Sequence, residues 1–276
     1  MIASFLITFR ETLETALIVG IILSYLVKTK QSKYNNVVYI GIAFGLIASV
    51  IGALLFINLT GGFTGKTEII FEGLTMLFGA FLLTTMIFWM MRQKHIAIEL
   101  EKKVGEQISG ASKFGLFLLV FVSVFREGIE TVIFLGAASF VSANNNLTGA
   151  LIGIVAAIFL GYIIFVGSIK INLKKFFNIT SILLILFAAG LVAHGIHELQ
   201  EASIISPIIE HLWDINPPIN SDGSYPILHE KGYLGSILVS LFGYNGNPSL
   251  TELIGYIIYL IFVFILWKNI EKTHKK

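Results

Sequence analysis

Residues 9–15 read FRETLET and lie near the middle of an apolar run that covers residues 1–27. The same pattern returns at residues 125–131 as FREGIET, again well inside an apolar run. Each copy places one arginine and two glutamates where an ionised group costs at least ~2.5–3.5 kcal/mol on insertion scales, so such residues are rarely without function. The duplication therefore predicts a site that is built from two copies of one motif.

The composition is that of a polytopic membrane protein. Hydrophobic residues make up 55% of the chain, charged residues only 13%, and the mean hydropathy is +0.84. A soluble protein of this length needs more polar surface. The formal net charge of +2 does not indicate nucleic-acid binding, because the lysines lie between apolar runs. The absence of cysteine excludes disulfides and thiolate metal sites, so a metal ion must bind to oxygen or nitrogen.

The apolar runs predict an all-α fold with seven transmembrane helices, because about 20 apolar residues are enough to cross a bilayer. The seven runs cover residues 1–27, 37–59, 68–91, 114–140, 147–169, 178–200 and 249–267.

The basic residues between the runs predict the orientation. If the runs alternate in direction, 15 lysines and arginines fall on one side of the membrane, against Lys66 and Lys231 on the other. Arg10 and Arg126 lie inside the membrane. Cytoplasmic loops carry the excess of basic residues, so we expect the N-terminus outside and the C-terminus in the cytoplasm.

An internal repeat relates runs one to three to runs four to six. The charged motif recurs at an offset of 116 residues, and the GxxxG pattern at 41–45 recurs at 149–153, an offset of 108. Three is an odd number of crossings, so the second copy must be inverted. The predicted segments are a first repeat at 1–91, a cytoplasmic loop at 92–113, an inverted second repeat at 114–200, an extracellular or periplasmic loop at 201–248, and a seventh helix with a cytoplasmic tail at 249–276.

The spacing within each motif predicts a shared metal site. Residues three and four apart lie on one face of a helix, and an inverted-repeat axis would bring the two motifs together at mid-membrane. Four carboxylates beside two guanidinium groups would then need a multivalent cation, and oxygen ligands suit hard ions such as Fe³⁺. In the alternative interpretation, each arginine only neutralises a glutamate of its own helix. The predicted ligands are Glu11, Glu14, Glu127 and Glu130, with Arg10 and Arg126 in support.

A second polar group lies at the predicted outer ends of the third and sixth runs. Its side chains could bind a metal ion on its way in, or they could be ordinary solvated helix ends. The further candidate metal ligands are Glu72, His197, Glu198 and Glu201, and the residues of a possible access path are Glu68 and His194. The acidic segment at 202–248 could concentrate cations or dock a partner.

The two REXXE motifs and the segment HGIHELQE at 194–201 resemble the oxidase-dependent iron permeases. This is the iron/lead transporter family, which includes the high-affinity iron permeases of fungi and bacteria. The resemblance implies iron uptake across the plasma membrane or bacterial inner membrane, with iron as substrate and no cofactor. It also implies that an extracellular or periplasmic ferroxidase or iron-delivery protein oxidises Fe²⁺ and passes Fe³⁺ on, and that the REXXE glutamates are required.

Three alternatives stay open from the sequence. The chain could be a membrane-embedded metalloenzyme that uses His194, His197 and Glu198, although this leaves the duplicated motif without a role. It could carry another cation, such as Mn²⁺ or Pb²⁺. It could also be a non-transporting subunit that anchors an oxidase through residues 202–248. Of these possibilities, we expect a permease rather than an enzyme.

Overall fold

The computed structural model describes residues 1–92, 96–109, 112–141, 146–165, 173–220 and 222–275, and all regular structure in these ranges is helical. Besides a short 3₁₀ turn at Ser32–Tyr34, the helices are α1 (Ile2–Lys28), α2 (Asn35–Thr60), α3 (Lys66–Arg92), α4 (Ile96–Ser109), α5 (Lys113–Val141), α6 (Asn146–Phe165), α7 (Leu173–Glu201), α8 (Tyr233–Phe242) and α9 (Leu250–Lys275).

Five of these helices are long and apolar enough to cross a membrane, namely α2, α3, α6, α7 and α9. Their outward side chains are apolar as well, since Leu54, Val155 and Phe264 are each more than half exposed. Such a surface is stable only against lipid. The prediction of an all-helical, multi-pass membrane protein is therefore confirmed. The remaining two long helices, α1 and α5, carry the charged motifs, so composition alone does not mark them as spans.

Two segments that we interpreted as loops contain helices. In 92–113, α4 forms because it is amphipathic: Val104 is fully buried against α1 and α5, while Lys102 and Lys103 are exposed. In 201–248, α8 packs on α7 and ends at Gly243, whose φ of 65° suits glycine. We call the two ends of the bundle the α4 end and the α8 end.

The long helices make their most extensive contacts in three pairs, which are α1 with α6, α2 with α5, and α3 with α7. Glycines permit the close approach. A Cβ atom at Gly45 of α2 would lie 2.8 Å from Cβ of Val124 on α5, and one at Gly153 of α6 would lie 2.6 Å from the carbonyl oxygen of Phe5 on α1. Backbones can approach this closely only where a side chain is missing.

Two apolar clusters lie on either side of the charged motifs. Toward the α8 end, α3 and α7 pack against the halves of α1 and α5 that contain Ile7 and Phe134, both fully buried. Toward the α4 end, the other halves of α1 and α5 pack with α2 and α4 around Ile22, Val104 and Val120. The charged motifs therefore lie between two layers of apolar side chains.

Candidate functional site

Carboxylates of α1 and α5 meet in the middle of the bundle. One carboxylate oxygen from each of Glu11, Glu14 and Glu127 lies within 4.8 Å of the others, and all three residues are buried. Glu130 follows Glu127 by three residues and is partly buried. We call these four residues the glutamate cage. The helical spacing explains why one face of each helix supplies two of them.

Both arginines of the motifs contact the glutamate cage. Nε of Arg10 lies 3.0 Å from Oε1 of Glu14, although the N–H bond is not aligned for a hydrogen bond. Nη2 of Arg126 donates a hydrogen bond of 2.8 Å to Oε1 of Glu127, and its Nε lies 3.2 Å from Oε1 of Glu130. The two contacts at a spacing of four residues are the ones that helical geometry predicts.

Several buried oxygens of the cage have no hydrogen-bond partner among the residues that the structure describes. They are both carboxylate oxygens of Glu11, Oε1 of Glu14, and Oε2 of Glu127 and of Glu130. An unpaired buried carboxylate oxygen is costly, because it has lost its water and gained no donor. A cation coordinated between the two helices would satisfy these oxygens, whereas the arginines alone do not.

Helix α3 contributes two contacts that the sequence did not predict. The guanidinium carbon of Arg126 lies 4.8 Å from the ring centroid of Trp89, and Nη2 of Arg10 lies 3.7 Å from Sδ of Met90. Both residues belong to an apolar run, so no sequence signal distinguished them from lipid-facing or packing side chains. Neighbouring residues of α3 thus touch the arginines of both motifs.

A separate polar group lies at the α8 end. Nδ1 of His197 lies 3.0 Å from Oε1 of Glu252, and its Nε2 lies 3.3 Å from Oε1 of Glu201. Glu252 was missed from the sequence, although Ser249 and Glu252 form a capping box at the start of α9. Both imidazole nitrogens therefore already have carboxylate partners.

The predicted outer acids are near one another but do not converge. Helices α3 and α7 cross at Gly73 and Gly195, and this crossing places Glu72 where it interacts electrostatically with Glu198 and Glu201. Glu68 is exposed at the start of α3. Within the described ranges, three possible ligand atoms come within 4.8 Å of one another only in the glutamate cage.

A cavity of about 910 Å³ lies beside this polar group. His194 lines this cavity, and its Nδ1 lies 3.0 Å from the carbonyl oxygen of Gly190. The second ring nitrogen, Nε2, is not used in this contact. Burial and the nearby Glu230 raise the pKa of Tyr244 in the same cavity, so its phenol stays protonated and is a poor metal ligand. The cavity also includes His197, Asn216, Tyr225, Lys231 and Asn245.

Buried ionisable groups that face the interior of a helical membrane bundle are typical of ion transporters. Residues 1–272 match the iron permease FTR1 family, and the chain belongs to that family.

Curated relatives give the same result. The chain is 34% identical over 266 residues to the ferrous iron permease EfeU of Escherichia coli O6:H1, which covers 95% of this chain and 93% of the relative. It is 34% identical over 271 residues to the ferrous iron permease EfeU of Yersinia pestis, with 97% and 93% covered. No solved structure matches the chain. The protein is thus a multi-pass permease of the bacterial inner membrane rather than an enzyme, and iron is the ion that its family carries.

Proposed function

We propose that the protein imports iron through the glutamate cage, with Glu11, Glu14, Glu127 and Glu130 as the ligands at mid-membrane. The observation that carries the proposal is the convergence of buried carboxylates from two helices, several of whose oxygens have no hydrogen-bond partner in the described part of the chain. Intrahelical neutralisation alone would leave no reason for carboxylates of α1 and α5 to approach within 4.8 Å.

The charge balance of the cage favours a multivalent cation. Four carboxylates and two guanidinium groups give a formal charge of −2 when all are ionised. In a medium of low dielectric constant such an excess is removed either by a bound counter-ion or by protonation of the carboxylates. A bound iron ion would be that counter-ion, and protonation of the glutamates would weaken the ligation and offer a route to release.

The same proposal includes seven spans and an inverted repeat. α1 and α5 complete the set with α2, α3, α6, α7 and α9, while α4 and α8 lie at the two ends. The packing of α1 on α6 and of α2 on α5 supports a two-fold relation between the repeats 1–91 and 114–200. Such a relation replaces α1 by α5 and α2 by α6, so it turns one of these pairs into the other. The lysine distribution supports an external N-terminus, which makes the α4 end cytoplasmic.

Transport would proceed by rocking of one repeat against the other around the cage. Glu68, Glu72, Glu198 and Glu201 would attract the ion at the α8 end without forming a closed ligand set, since their carboxylates do not converge. His197 would hold α7 against α9 through Glu252 in addition to any role in metal binding. The cavity lined by His194 would be the vestibule.

Fe³⁺ is the ion that the all-oxygen cage suits best, because carboxylates prefer hard cations. A separate ferroxidase or iron-delivery protein would supply it, and the exposed segment at 202–248 offers a docking surface. Fe²⁺ is a second candidate, because the relatives from E. coli and Y. pestis are named ferrous iron permeases.

The test is metal flux into proteoliposomes, measured with Fe³⁺ citrate, anaerobic Fe²⁺, Mn²⁺ and Pb²⁺. Wild-type protein should accumulate iron, and Glu14→Gln and Glu130→Gln should not, although both insert normally. Glu210→Gln, in the acidic segment at 202–248, is the matched control and should transport. Iron uptake by both cage variants at the wild-type rate would refute the central role of the cage. Uptake of Mn²⁺ or Pb²⁺ in preference to both iron ions would refute the substrate assignment.

A further inference from the structure

The two arginines of the duplicated motif occupy different environments. The Arg10 side chain is 0% exposed and is enclosed by α1 and α3, with Glu14 and Met90 as neighbours. The Arg126 side chain is 43% exposed, although it lies near the middle of α5. The sequence repeat gives no reason for this difference, so it must come from how the helices pack around each motif.

A charge in contact with acyl chains is costly, so an exposed guanidinium at mid-membrane needs partners at the edge of the bundle. Arg126 lies on the same stripe of α5 as Leu118 and Val122, and both of these side chains are exposed. Here α3 no longer covers α5, since its packing is confined to the half toward the α8 end. Arg126 therefore has space beside the cage into which it can move, and Arg10 does not.

A metal ion and Arg126 compete for the same carboxylates. Arg126 contacts one oxygen of Glu127 and one of Glu130, and these residues are half of the cage. An ion that takes both carboxylates leaves the guanidinium without its ion pairs. Trp89 offers an alternative partner, because its ring centroid is already 4.8 Å away and a tryptophan face attracts a guanidinium.

We infer that Arg126 is the displaceable counter-ion of the glutamate cage and that Trp89 is the positioning residue that holds its guanidinium when iron takes Glu127 and Glu130. This inference rests on the proposed function, because it requires iron to bind in the cage. In the metal-free protein Arg126 neutralises the two carboxylates of α5. With iron bound it remains against Trp89 at the edge of the cage, while Arg10 keeps its place beside Glu14.

The first test is uptake kinetics of Trp89 variants in proteoliposomes with Fe³⁺ citrate. Loss of the ring should raise KM about 3- to 30-fold in Trp89→Ala, with a smaller rise in Trp89→Phe and kcat nearly unchanged. The matched control is Phe81→Ala, which also truncates an exposed aromatic side chain of α3, and it should leave KM unchanged. Equal KM values for Trp89→Ala and wild type would overturn the inference and leave the proposed function intact. If wild-type protein takes up no iron, the proposed function itself is overturned.

The second test is chemical modification with phenylglyoxal, which reacts with accessible arginines. The chain contains only Arg10, Arg92 and Arg126, so peptide mapping in an Arg92→Lys background reports on the two motifs separately. Arg126 should react and Arg10 should not, and Fe³⁺ citrate should accelerate the reaction of Arg126 by freeing it from its carboxylates. In Trp89→Ala the acceleration should be larger. Protection of Arg126 by iron, or equal reactivity of the two arginines, would overturn the inference.

Discussion

Replacing Glu11 or Glu14 by glutamine should abolish iron transport in both cases but change stability in opposite directions. Neither carboxylate oxygen of Glu11 accepts a hydrogen bond from a donor in the described structure, and the repulsion between Glu11 and Glu14 exceeds the attraction between Glu11 and Arg10. At 4.8 Å, the largest separation within the group, and an effective dielectric constant of about 20, two unit charges repel by about 3.5 kcal/mol. We therefore expect the metal-free Glu11→Gln variant to be at least as stable as wild type.

Glu14→Gln removes the partner of a fully buried arginine. The Arg10 side chain is 0% exposed and lies 3.0 Å from Glu14, so neutralising Glu14 leaves a buried cation without its nearest counter-charge. Breaking one side of a buried pair typically costs about 3–5 kcal/mol. We expect Glu14→Gln to unfold several degrees below wild type when no metal is present.

The assay is thermal unfolding in detergent with a chelator and then with iron, together with uptake into proteoliposomes. Iron should raise the midpoint of wild type, because a ligand at 100 times its Kd adds about 2.7 kcal/mol, and it should not raise that of either variant. A metal-free Glu11→Gln protein that unfolds well below wild type would refute the reasoning, because Glu11 would then be a structural residue. Retained uptake in Glu11→Gln would refute its role as a ligand.

Three further predictions test the parts of the fold around the site. Glu252→Gln should lower the unfolding midpoint and loosen α9, because this buried carboxylate accepts hydrogen bonds from the backbone N–H of Ser249 and from the side-chain amide of Asn245, and faster proteolysis near residue 249 would detect the change. Gly45→Ala should cost about 1–3 kcal/mol of stability by pushing α2 away from Val124, and thermal unfolding measures this cost against Gly61→Ala as the control, because Gly61 has an ordinary helical backbone conformation and no close neighbour at its Cβ position. The chain has no cysteine, so an impermeant thiol reagent should label His211→Cys but not Ser32→Cys in intact cells; the reverse would invert the topology.

The motif geometry could be predicted from the sequence because it depends on local spacing. Residues four apart share a helix face, and the contacts of Arg10 with Glu14 and of Arg126 with Glu130 follow directly. The contact of Arg126 with Glu127 could not be predicted from the spacing, because neighbouring side chains of a helix usually point in different directions. The contact forms because the long arginine side chain reaches back to Glu127. The proximity of α1 to α5 was expected from the repeat.

The contributions of α3 could not be predicted from the sequence. Whether Trp89 faces lipid or Arg126 depends on the rotation and axial position of α3 relative to α5, and an apolar run carries no information about either. The short helix α4 could have been recognised, because its buried side at Val104 follows a helical period. The start of α9 could also have been recognised, because Ser249 with Glu252 forms a capping box. Glu252 in turn gives His197 a carboxylate partner on α9 that the sequence did not predict.

The unequal burial of the two arginines fits a transporter better than a static binding site. A site on a two-fold axis would give both motifs equal surroundings, but alternating access requires any one conformation to be open to a single side. Here Ile7 and Phe134 toward the α8 end are fully buried, and so is Arg10, whereas 43% of the Arg126 side chain is exposed. The two motifs therefore have unequal surroundings in this conformation although the converging carboxylates of Glu11, Glu14 and Glu127 are all buried, and alternating access is the reason we propose for that inequality.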